Sequence, residues 1–254
     1  MKAALCFIIS YDHILTKEHI WREWINQNKD IFNVYFFYKD YAKIKSSWIL
    51  QHTIPEKYIQ STSYYHVVPA YMSILNYAFM HDSNNEWFCM LTDSCCPIVS
   101  PTKFRYLFLT FFNKSVFNWK PAWWNIHLNK RANLSSLIND LRLANDPYFV
   151  LCRHDVEKVI KFPHQQPLIY KIVCDGGVAN ESLFAIILKY NNILDKVKQT
   201  ASHLADWDRM MSATSPYLFN NLNDIDIHFI EKNLGIHTCA MFIRKVSPTY
   251  PDHV

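Results

Sequence analysis

The chain has 254 residues, half of them hydrophobic and only 3 of them glycine, so it encodes a folded protein rather than a linker or a disordered tail. The formal charge of +4 is dispersed, and the densest basic cluster has two adjacent charges, Lys130 and Arg131, which excludes a basic run of the kind that binds nucleic acid. The 7 cysteines lack the spacing of a zinc site and predict buried thiols in a reducing compartment.

The first part of the chain alternates short apolar runs with helical patterns. In chain order the patterns predict a strand over 3–10, a helix over 18–27, a strand over 33–38, a helix over 68–81 and a strand over 87–91. This alternation predicts an α/β fold with a mostly parallel central sheet and helices on both faces. No linker or internal repeat divides the chain, so residues 1–254 are predicted to form one domain.

The N-terminal run MKAALCFIISYD has one lysine before a short apolar stretch. It lacks a small-residue cleavage site and is far shorter than the roughly 20 residues of a membrane span, so it is interpreted as a buried first strand. The sequence therefore predicts a soluble, cytoplasmic protein. Its richness in Asn, Ile, Lys and Tyr is typical of an AT-rich genome, such as that of a large DNA virus acting in a host cytoplasm or of a protist.

Ligands of parallel sheets bind beyond the carboxyl ends of the strands, which places polar residues of this chain at a predicted cleft. The residues expected there are Ser10, Tyr11, Asp40, Thr92 and Asp93. In the segment LTDSCCPIVS, 91–100, we expect Thr92 and Asp93 to face the ligand while Cys95 and Cys96 turn back into the core. A cysteine nucleophile has little support, because no histidine is placed by the sequence to activate it.

The second half contains a tryptophan-rich loop, an apolar segment YFVLC (148–152) leading into a helix from about Asp155, and a helix over 180–190. Asn180 is a good N-cap for that helix, which would place Glu181 in the first turn. The free amides and the positive end of the helix would there favour an ionised carboxylate. The segment CAMFIRKVSP (239–248) is predicted to be a strand or a helix end.

The run from 66 to 98 resembles the core-2/I-branching glycosyltransferases, a family that includes the xylosyltransferases. Its members have a Ser-x-Val-x-Ala helix followed by a strand that ends in a Leu-Ser-Glu-Ser-Cys-Ile-Pro-Leu motif. The matching positions here are Val68, Ala70, Leu91, Ser94, Cys95, Pro97 and Ile98, while His66 replaces the serine.

Further segments of the same family follow in order. DPYFVLCR resembles Gly-Ser-Gln-Trp-Phe-x-Leu-x-Arg, with Pro147 and Tyr148 substituted, and VANESLFAIIL resembles Pro-Asp-Glu-His-Tyr-Phe-x-Thr-Leu, with Asn180 and Ile186 substituted. ADWDR resembles Asp-Trp-Ser-Arg, and AMFIRKVSP resembles Leu-Phe-Ala-Arg-Lys-Phe. The resemblance covers about residues 3 to 248.

The resemblance implies a GT-A type, Rossmann-like fold and an inverting transfer from a UDP-sugar to a glycan hydroxyl, without an obligatory metal ion or other cofactor. The implied sugar is N-acetylglucosamine, with xylose, glucose and glucuronic acid as alternatives. No nucleic acid or membrane partner is implied.

The resemblance also assigns roles to residues of this chain. Glu181 occupies the position of the general base, which takes the proton of the acceptor hydroxyl. Fixed cations must offset the charge of the leaving diphosphate, and Lys245 matches the diphosphate-binding lysine, with Arg244 or Arg209 as its bidentate partner. The implied donor site includes the strand-end residues and Asp40, for which a place at the uridine and a turn-capping role stay equally open. The candidate acceptor residues are Trp123, Trp124 and Tyr148.

Two other interpretations stay open. The substitutions at His66, Pro147, Tyr148 and Ile186 also fit an inactive module of the same fold that binds glycans or nucleotide sugars. A nucleotide enzyme of other chemistry is disfavoured, since the chain lacks the glycine-rich loops that cradle phosphates. The one D-x-D pattern, Asp224 to Asp226, lies far from the strand ends and is interpreted as chance.

Overall fold

The computed structural model describes residues 1–9 and 14–252 of the chain. Its strands are β1 Lys2–Ile8, β2 Phe32–Phe37, β3 Asn85–Thr92, β4 Cys96–Pro97, β5 Trp119–Pro121, β6 Leu143–Asn145, β7 Val150–Cys152, β8 His203–Ala205 and β9 Phe242–Arg244. Its α-helices are α1 Glu18–Asn26, α2 Ser47–His52, α3 Val68–His81, α4 Pro101–Phe111, α5 Arg153–Gln165, α6 Pro167–Cys174, α7 Leu183–Tyr190 and α8 Asp224–Ile236.

The central sheet has the strand order β2-β1-β3-β7. β1 pairs in parallel with both β2 and β3, whereas β7 runs antiparallel to β3. The α/β prediction is therefore confirmed, and the sheet is mixed, with parallel pairing among the three strands predicted from the first part of the chain.

Two apolar cores cover the two faces of this sheet. Along β1 the side chains alternate, so that Ala4 and Cys6 join one core with residues of α3, α5 and α7, while Leu5 and Phe7 join the other with residues of α1 and α4. Side chains of a strand point to opposite faces in turn, which explains why β1 is buried on both sides. The prediction of helices on both faces is confirmed.

The first predicted elements agree closely with the structure, but the helix predicted from Asn180 does not start there. Residues Ala179–Glu181 form a 3-10 turn that follows Val178, whose φ is 57°, and α7 begins only at Leu183. The N-cap residue of α7 is Ser182 rather than Asn180, so the capping prediction is wrong. The buried side chain of Asn145 instead accepts a hydrogen bond from the Ala185 amide at 3.1 Å and supplies the acceptor that a local cap normally provides.

A second small sheet, β4-β9-β8, brings the end of the chain to the carboxyl edge of the central sheet. β4 follows directly after β3 and pairs with β9, and the Val246 amide donates to the Ser94 carbonyl at 3.0 Å. Of the two alternatives for 239–248, a strand or a helix end, the structure shows the strand, β9. Since β7 runs antiparallel to β3, its first residues also lie at this edge, which places Tyr148 close to Arg244.

None of the helices within the described ranges 1–9 and 14–252 has the length and apolar character needed to cross a bilayer.

Candidate functional site

Arg244, the last residue of β9, is a buried cation that forms no ion pair with the described residues. Only 6% of its surface is exposed, and its guanidinium lies over the Tyr148 ring, 3.8 Å from the ring centroid. Within the described part of the chain, its buried Nε has no hydrogen-bond partner and no carboxylate forms an ion pair with it. A buried, unpaired charge is costly, so this arrangement points to an anionic ligand.

Burial lowers the pKa of Arg244, although an arginine remains charged at neutral pH. The smaller influences of Cys95, Tyr71 and Asp93 raise this pKa again. Asp93 follows β3 directly, so the predicted strand-end residue and the buried guanidinium lie within electrostatic reach of each other. An anion at Arg244 would therefore sit at the carboxyl edge of the sheet, where parallel sheets bind their ligands.

A second buried polar group lies beside Tyr148. The His203 ring is 5.4 Å from the Tyr148 ring and 4.8 Å from the Phe242 ring, measured between centroids. Burial lowers the pKa of His203 to about 3, so the ring is neutral at physiological pH. Its Nδ1 contacts the Ser202 hydroxyl at 2.9 Å, while its buried Nε2 has no partner among the residues described.

Glu181 lies in the 3-10 turn before α7 and forms an ion pair with Arg131. About a quarter of each side chain is exposed, 26% for Glu181 and 27% for Arg131, so the pair stays accessible from solvent. The Arg131 guanidinium also lies 4.5 Å from the centroid of the Trp124 ring. Arg131, for which no role was predicted, therefore contacts both Glu181, the predicted base, and Trp124, a predicted acceptor residue.

Close backbone packing holds this arginine in place. The Ala132 amide donates to the Gly177 carbonyl at 2.9 Å, and a Cβ added to Gly176 would lie 2.5 Å from the Asn133 nitrogen. Only glycine permits that approach at position 176. The loop that carries Arg131 is thereby fixed against the segment that leads into Glu181.

The predicted acceptor tryptophans form an edge-to-face pair, with ring centroids 5.0 Å apart. Trp123 is 59% exposed, whereas the indole Nε1 of Trp124 is buried without a partner in the described part of the chain. Lys120 lies over Trp123, with its Nζ 3.9 Å from the ring centroid. The exposed surface of Trp123 suits a ligand with an apolar face, such as a sugar ring.

A second carboxylate, Asp146, belongs to this cluster. Burial raises the pKa of Glu181; the Arg131 charge and its hydrogen bond lower it, and the charge of Asp146 raises it further. Burial likewise raises the pKa of Asp146, against lowering contributions from Asn118, Lys120 and His237. From the sequence we expected the start of a helix to favour the ionised form of Glu181. Burial instead raises the pKa of Glu181 and so favours its protonated form.

Tyr71 of α3 connects the Arg244 and Glu181 ends of the site. Its hydroxyl donates to the Pro147 carbonyl at 2.9 Å. Burial raises its pKa most, the Arg244 charge lowers it and the Glu181 charge raises it. Both charged groups therefore influence the pKa of one buried hydroxyl.

Other predicted donor residues lie elsewhere along the edge. Ser10 and Tyr11 fall outside the described residues. Asp40 follows β2 and pairs with Lys43 at 3.2 Å, with 41% of its side chain exposed. Thr92 ends β3, and its Oγ1 lies 3.3 Å from the Cys95 sulfur, so the hydroxyl of Thr92 contacts the core as well as the edge.

The remaining two predicted cations have protein partners. Arg209 donates to Asp206 at 2.6 Å and to Asp226 at 2.8 Å, and the Asp226 side chain is fully buried. The Lys245 ammonium donates to the Ser215 hydroxyl at 2.9 Å. Of the two predicted arginines, only Arg244 lacks an ion pair in the residues described.

Both D-x-D aspartates lie in the first turn of a helix. Asp224–Ile236 is helix α8, and its cap Asn223 accepts a hydrogen bond from the Asp226 amide. In the described part of the chain, no group of three or more His, Cys, Asp or Glu side chains is arranged to hold a metal ion.

The adjacent cysteines of the LTDSCCPIVS segment both face the interior, as expected. Cys95 is 0% and Cys96 8% exposed. Burial raises the pKa of Cys95 and raises that of Cys96 to about 12, so both thiols stay protonated at neutral pH. Protonated, buried thiols are poor nucleophiles.

We expect Cys95→Ala to lower the free energy of unfolding by about 1 to 3 kcal/mol, because it removes packed atoms from a closed core. Urea denaturation measures this loss, and turnover per folded molecule should change little. Turnover lost at unchanged stability would contradict a purely structural role for the thiol.

Two cavities lie away from this cluster. One of about 310 Å³ lies between α4 and α8, lined by Lys103, His237 and their neighbours, and one of about 380 Å³ lies beside β2. Among the described residues, neither cavity is lined by a buried polar side chain that lacks a partner. Arg244 has such a group, so we place the candidate site at Arg244, Tyr148, Tyr71 and Glu181.

Sequence reasoning missed Arg131, Asp146, Tyr71 and His203 as members of this site. Tyr71 directly follows the matched Ala70, and Asp146 opens the DPYFVLCR segment, so both lay beside motifs that had been recognised. Arg131 and His203 carry no local signal of this kind.

Comparison with known proteins leaves the family open. No protein-family model matches the chain, and no curated protein matches it at a significant level. The resemblance to the core-2/I-branching glycosyltransferases therefore depends on the short motifs described above.

Proposed function

We propose that the protein is an inverting glycosyltransferase of GT-A type that transfers a sugar from a UDP-sugar to a glycan hydroxyl, with N-acetylglucosamine as the first candidate sugar. The observation that carries the proposal is the buried guanidinium of Arg244 at the carboxyl edge of the sheet: within the described residues it forms no ion pair, and its Nε has no hydrogen-bond partner. A nucleotide diphosphate is an anion of the kind that such a group binds, and a guanidinium can contact two phosphate oxygens at once.

The leaving group of this reaction gains negative charge on its diphosphate as the sugar departs. Arg244 supplies a fixed cation in a site shielded from water, where its interaction with that charge is stronger than in solvent. Lys245 directly follows Arg244 and adds a second positive charge at the same edge. This assignment leaves Arg209 as a structural residue, since two carboxylates already balance its charge.

Glu181 is the proposed general base. Its carboxylate is about a quarter exposed, and the charges of both Glu181 and Arg244 influence the pKa of Tyr71. In this proposal a donor bound at Arg244 presents its sugar toward Glu181. Ion pairing with Arg131 keeps the carboxylate in place, and the raised pKa makes it a better proton acceptor than an exposed glutamate. The hydroxyl oxygen would attack the anomeric carbon, UDP would leave from the opposite face, and the hydroxyl proton would pass to Glu181.

The acceptor would bind at the tryptophan side of the site. Trp123 is 59% exposed and offers aromatic surface for stacking on a sugar, and the Arg131 side chain, 27% exposed, offers N–H donors for the sugar oxygens. These groups adjoin Glu181 through Arg131, so an acceptor held there has its hydroxyl near the base.

A second candidate is a nucleotide-sugar-binding module without turnover. The observation that favours it is the ion pair of Glu181 with Arg131, which occupies the carboxylate that a base must use. Transferases commonly pass sugar slowly to water, so release of UDP from a bound UDP-sugar distinguishes the enzyme from the module.

We expect UDP and at least one UDP-sugar to raise the melting temperature in buffer with EDTA, because a ligand of the folded state stabilises it by mass action. A thermal-shift series with UDP-N-acetylglucosamine, UDP-xylose, UDP-glucose and UDP-glucuronate checks this, with uridine as the control that lacks the diphosphate. A shift that appears only when magnesium or manganese is added would contradict binding through fixed cations.

A further inference from the structure

Two tyrosines at an exposed turn lie next to the segment that leads into Glu181. Tyr64 is 67% and Tyr65 is 55% exposed, and their rings pack edge to face with centroids 5.0 Å apart. The turn that carries them is closed by backbone hydrogen bonds between Ser63 and His66, in both directions. A closed turn therefore presents this aromatic pair to solvent.

Backbone contacts join the tyrosine turn to the loop that carries the predicted acceptor tryptophans. The Val178 amide donates to the Tyr65 carbonyl at 2.8 Å, and the Gly177 carbonyl accepts from the Ala132 amide of that loop at 2.9 Å. Val178 has a φ of 57°, which a β-branched residue rarely adopts and which its surroundings must hold in place. The Val178 carbonyl accepts from the Glu181 amide at 3.0 Å. The turn and the loop thus meet at the two residues that lead into the proposed base.

The loop presents a second aromatic pair beside the same base. Trp123 and Trp124 pack edge to face, and the Arg131 guanidinium lies 4.5 Å from the Trp124 centroid and 5.9 Å from the Trp123 centroid. Arg131 also forms the ion pair with Glu181, in which about a quarter of each side chain is exposed. Two aromatic pairs on separate loops therefore adjoin one accessible ion pair.

We propose that Tyr64 and Tyr65 form a second sugar-binding subsite, so that the acceptor is an oligosaccharide whose rings contact both the tyrosine pair and the tryptophan pair. This inference rests on the proposed function, which places the acceptor at the tryptophans. Aromatic rings stack on the C–H face of a sugar, and sugar hydroxyls can both donate to a carboxylate and accept from a guanidinium. A purely apolar partner would remove water from the Arg131–Glu181 pair and offer it no hydrogen bonds in return.

Saturation-transfer difference NMR tests this inference, because it detects weak sugar binding without a donor or turnover. The probes are the monosaccharides, disaccharides and tetrasaccharides of four β-linked series, built from N-acetylglucosamine, xylose, glucose and galactose. We expect the wild-type protein to bind at least one series, with an affinity that rises with chain length because only a longer chain reaches both aromatic pairs.

Replacement of both tyrosines by alanine should weaken binding of the tetrasaccharide at least about 5-fold and remove the gain with chain length. Binding of the monosaccharide and of UDP should not change. Tyr64→Phe combined with Tyr65→Phe should retain most of the affinity, because the rings remain. The matched control is Tyr106→Ala, which removes a 60% exposed tyrosine beside Lys103 on α4, at the opposite face of the central sheet.

Circular dichroism checks that the variants fold. Tyr64→Ala alone supplies the same test if the double alanine variant does not fold, since the bond that anchors the turn to Val178 comes from Tyr65.

No binding of any oligosaccharide by the wild-type protein, or equal tetrasaccharide affinity in the wild-type protein and the folded alanine variant, would overturn the inference. If UDP-sugars are hydrolysed in that case, the proposed function stands without the second subsite. Binding that rises with chain length and requires the tyrosines, without binding or hydrolysis of any UDP-sugar, would instead overturn the proposed function and leave the oligosaccharide surface established.

Discussion

Glu181→Gln should keep the fold and the binding of UDP-sugars but reduce transfer by at least about 100-fold, the effect expected when a general base is removed. Glutamine preserves the shape of the side chain and can still accept the hydrogen bond of Arg131, but it cannot take the proton of the acceptor hydroxyl. The exposed part of Arg131 limits the cost of leaving its charge unpaired. Steady-state turnover and calorimetric titration of UDP measure the two effects separately.

The pH profile provides an independent check of Glu181. Because burial raises its pKa, the wild-type rate should fall on the acid side at a higher pH than an exposed glutamate would give, as the carboxylate becomes protonated. The Glu181→Gln variant should lack this limb. The control is Glu157→Gln, at an exposed position on α5 that pairs with Lys161; wild-type turnover in Glu181→Gln would exclude Glu181 as the base.

Arg244→Met should weaken UDP binding by about 10- to 150-fold, which corresponds to the roughly 1.5 to 3 kcal/mol of a hydrogen bond to a charged group. The same substitution should leave the unliganded protein equally stable or more stable. Methionine fills a similar volume without charge, and the guanidinium that it replaces is buried and unpaired in the described structure. Calorimetry measures the affinity, and urea denaturation without ligand measures the stability.

Arg209→Met is the matched comparison for Arg244→Met. It removes a guanidinium that is paired with Asp206 and with the fully buried Asp226. Leaving those carboxylates without a partner should destabilise the protein by about 3 kcal/mol. Loss of stability in Arg244→Met as large as in Arg209→Met, with UDP affinity retained, would show that Arg244 is structural and contradict the anion site.

The central sheet and its edge could be predicted because their signals are local. The helix Val68–His81 has the predicted bounds. The strands β1 to β3 could be predicted from the length of their apolar runs and the alternation of these runs with helical patterns. Parallel strands joined by helices then place Thr92 and Asp93 at a carboxyl edge without knowledge of any contact.

Contacts between distant residues could not be predicted. Glu181 is 50 positions from Arg131, and Ala185 is 40 positions from Asn145, so neither the ion pair nor the distant cap leaves a pattern in the sequence. The sequence also could not show that Arg209 forms ion pairs within the fold whereas Arg244 forms none with the described residues. Asp206 lies near Arg209 in the chain, but the buried partner Asp226 is brought to it only by folding.

The most direct test of the account is release of UDP from the same panel of UDP-sugars, in EDTA, by wild-type protein and by Glu181→Gln. We expect the wild-type protein to release UDP from at least one of them, faster when a glycan acceptor is added, and Glu181→Gln to bind that donor with release reduced at least about 100-fold. Equal release by the two proteins, or no binding and no release with any donor, would contradict a glycosyltransferase that uses Glu181 as its base.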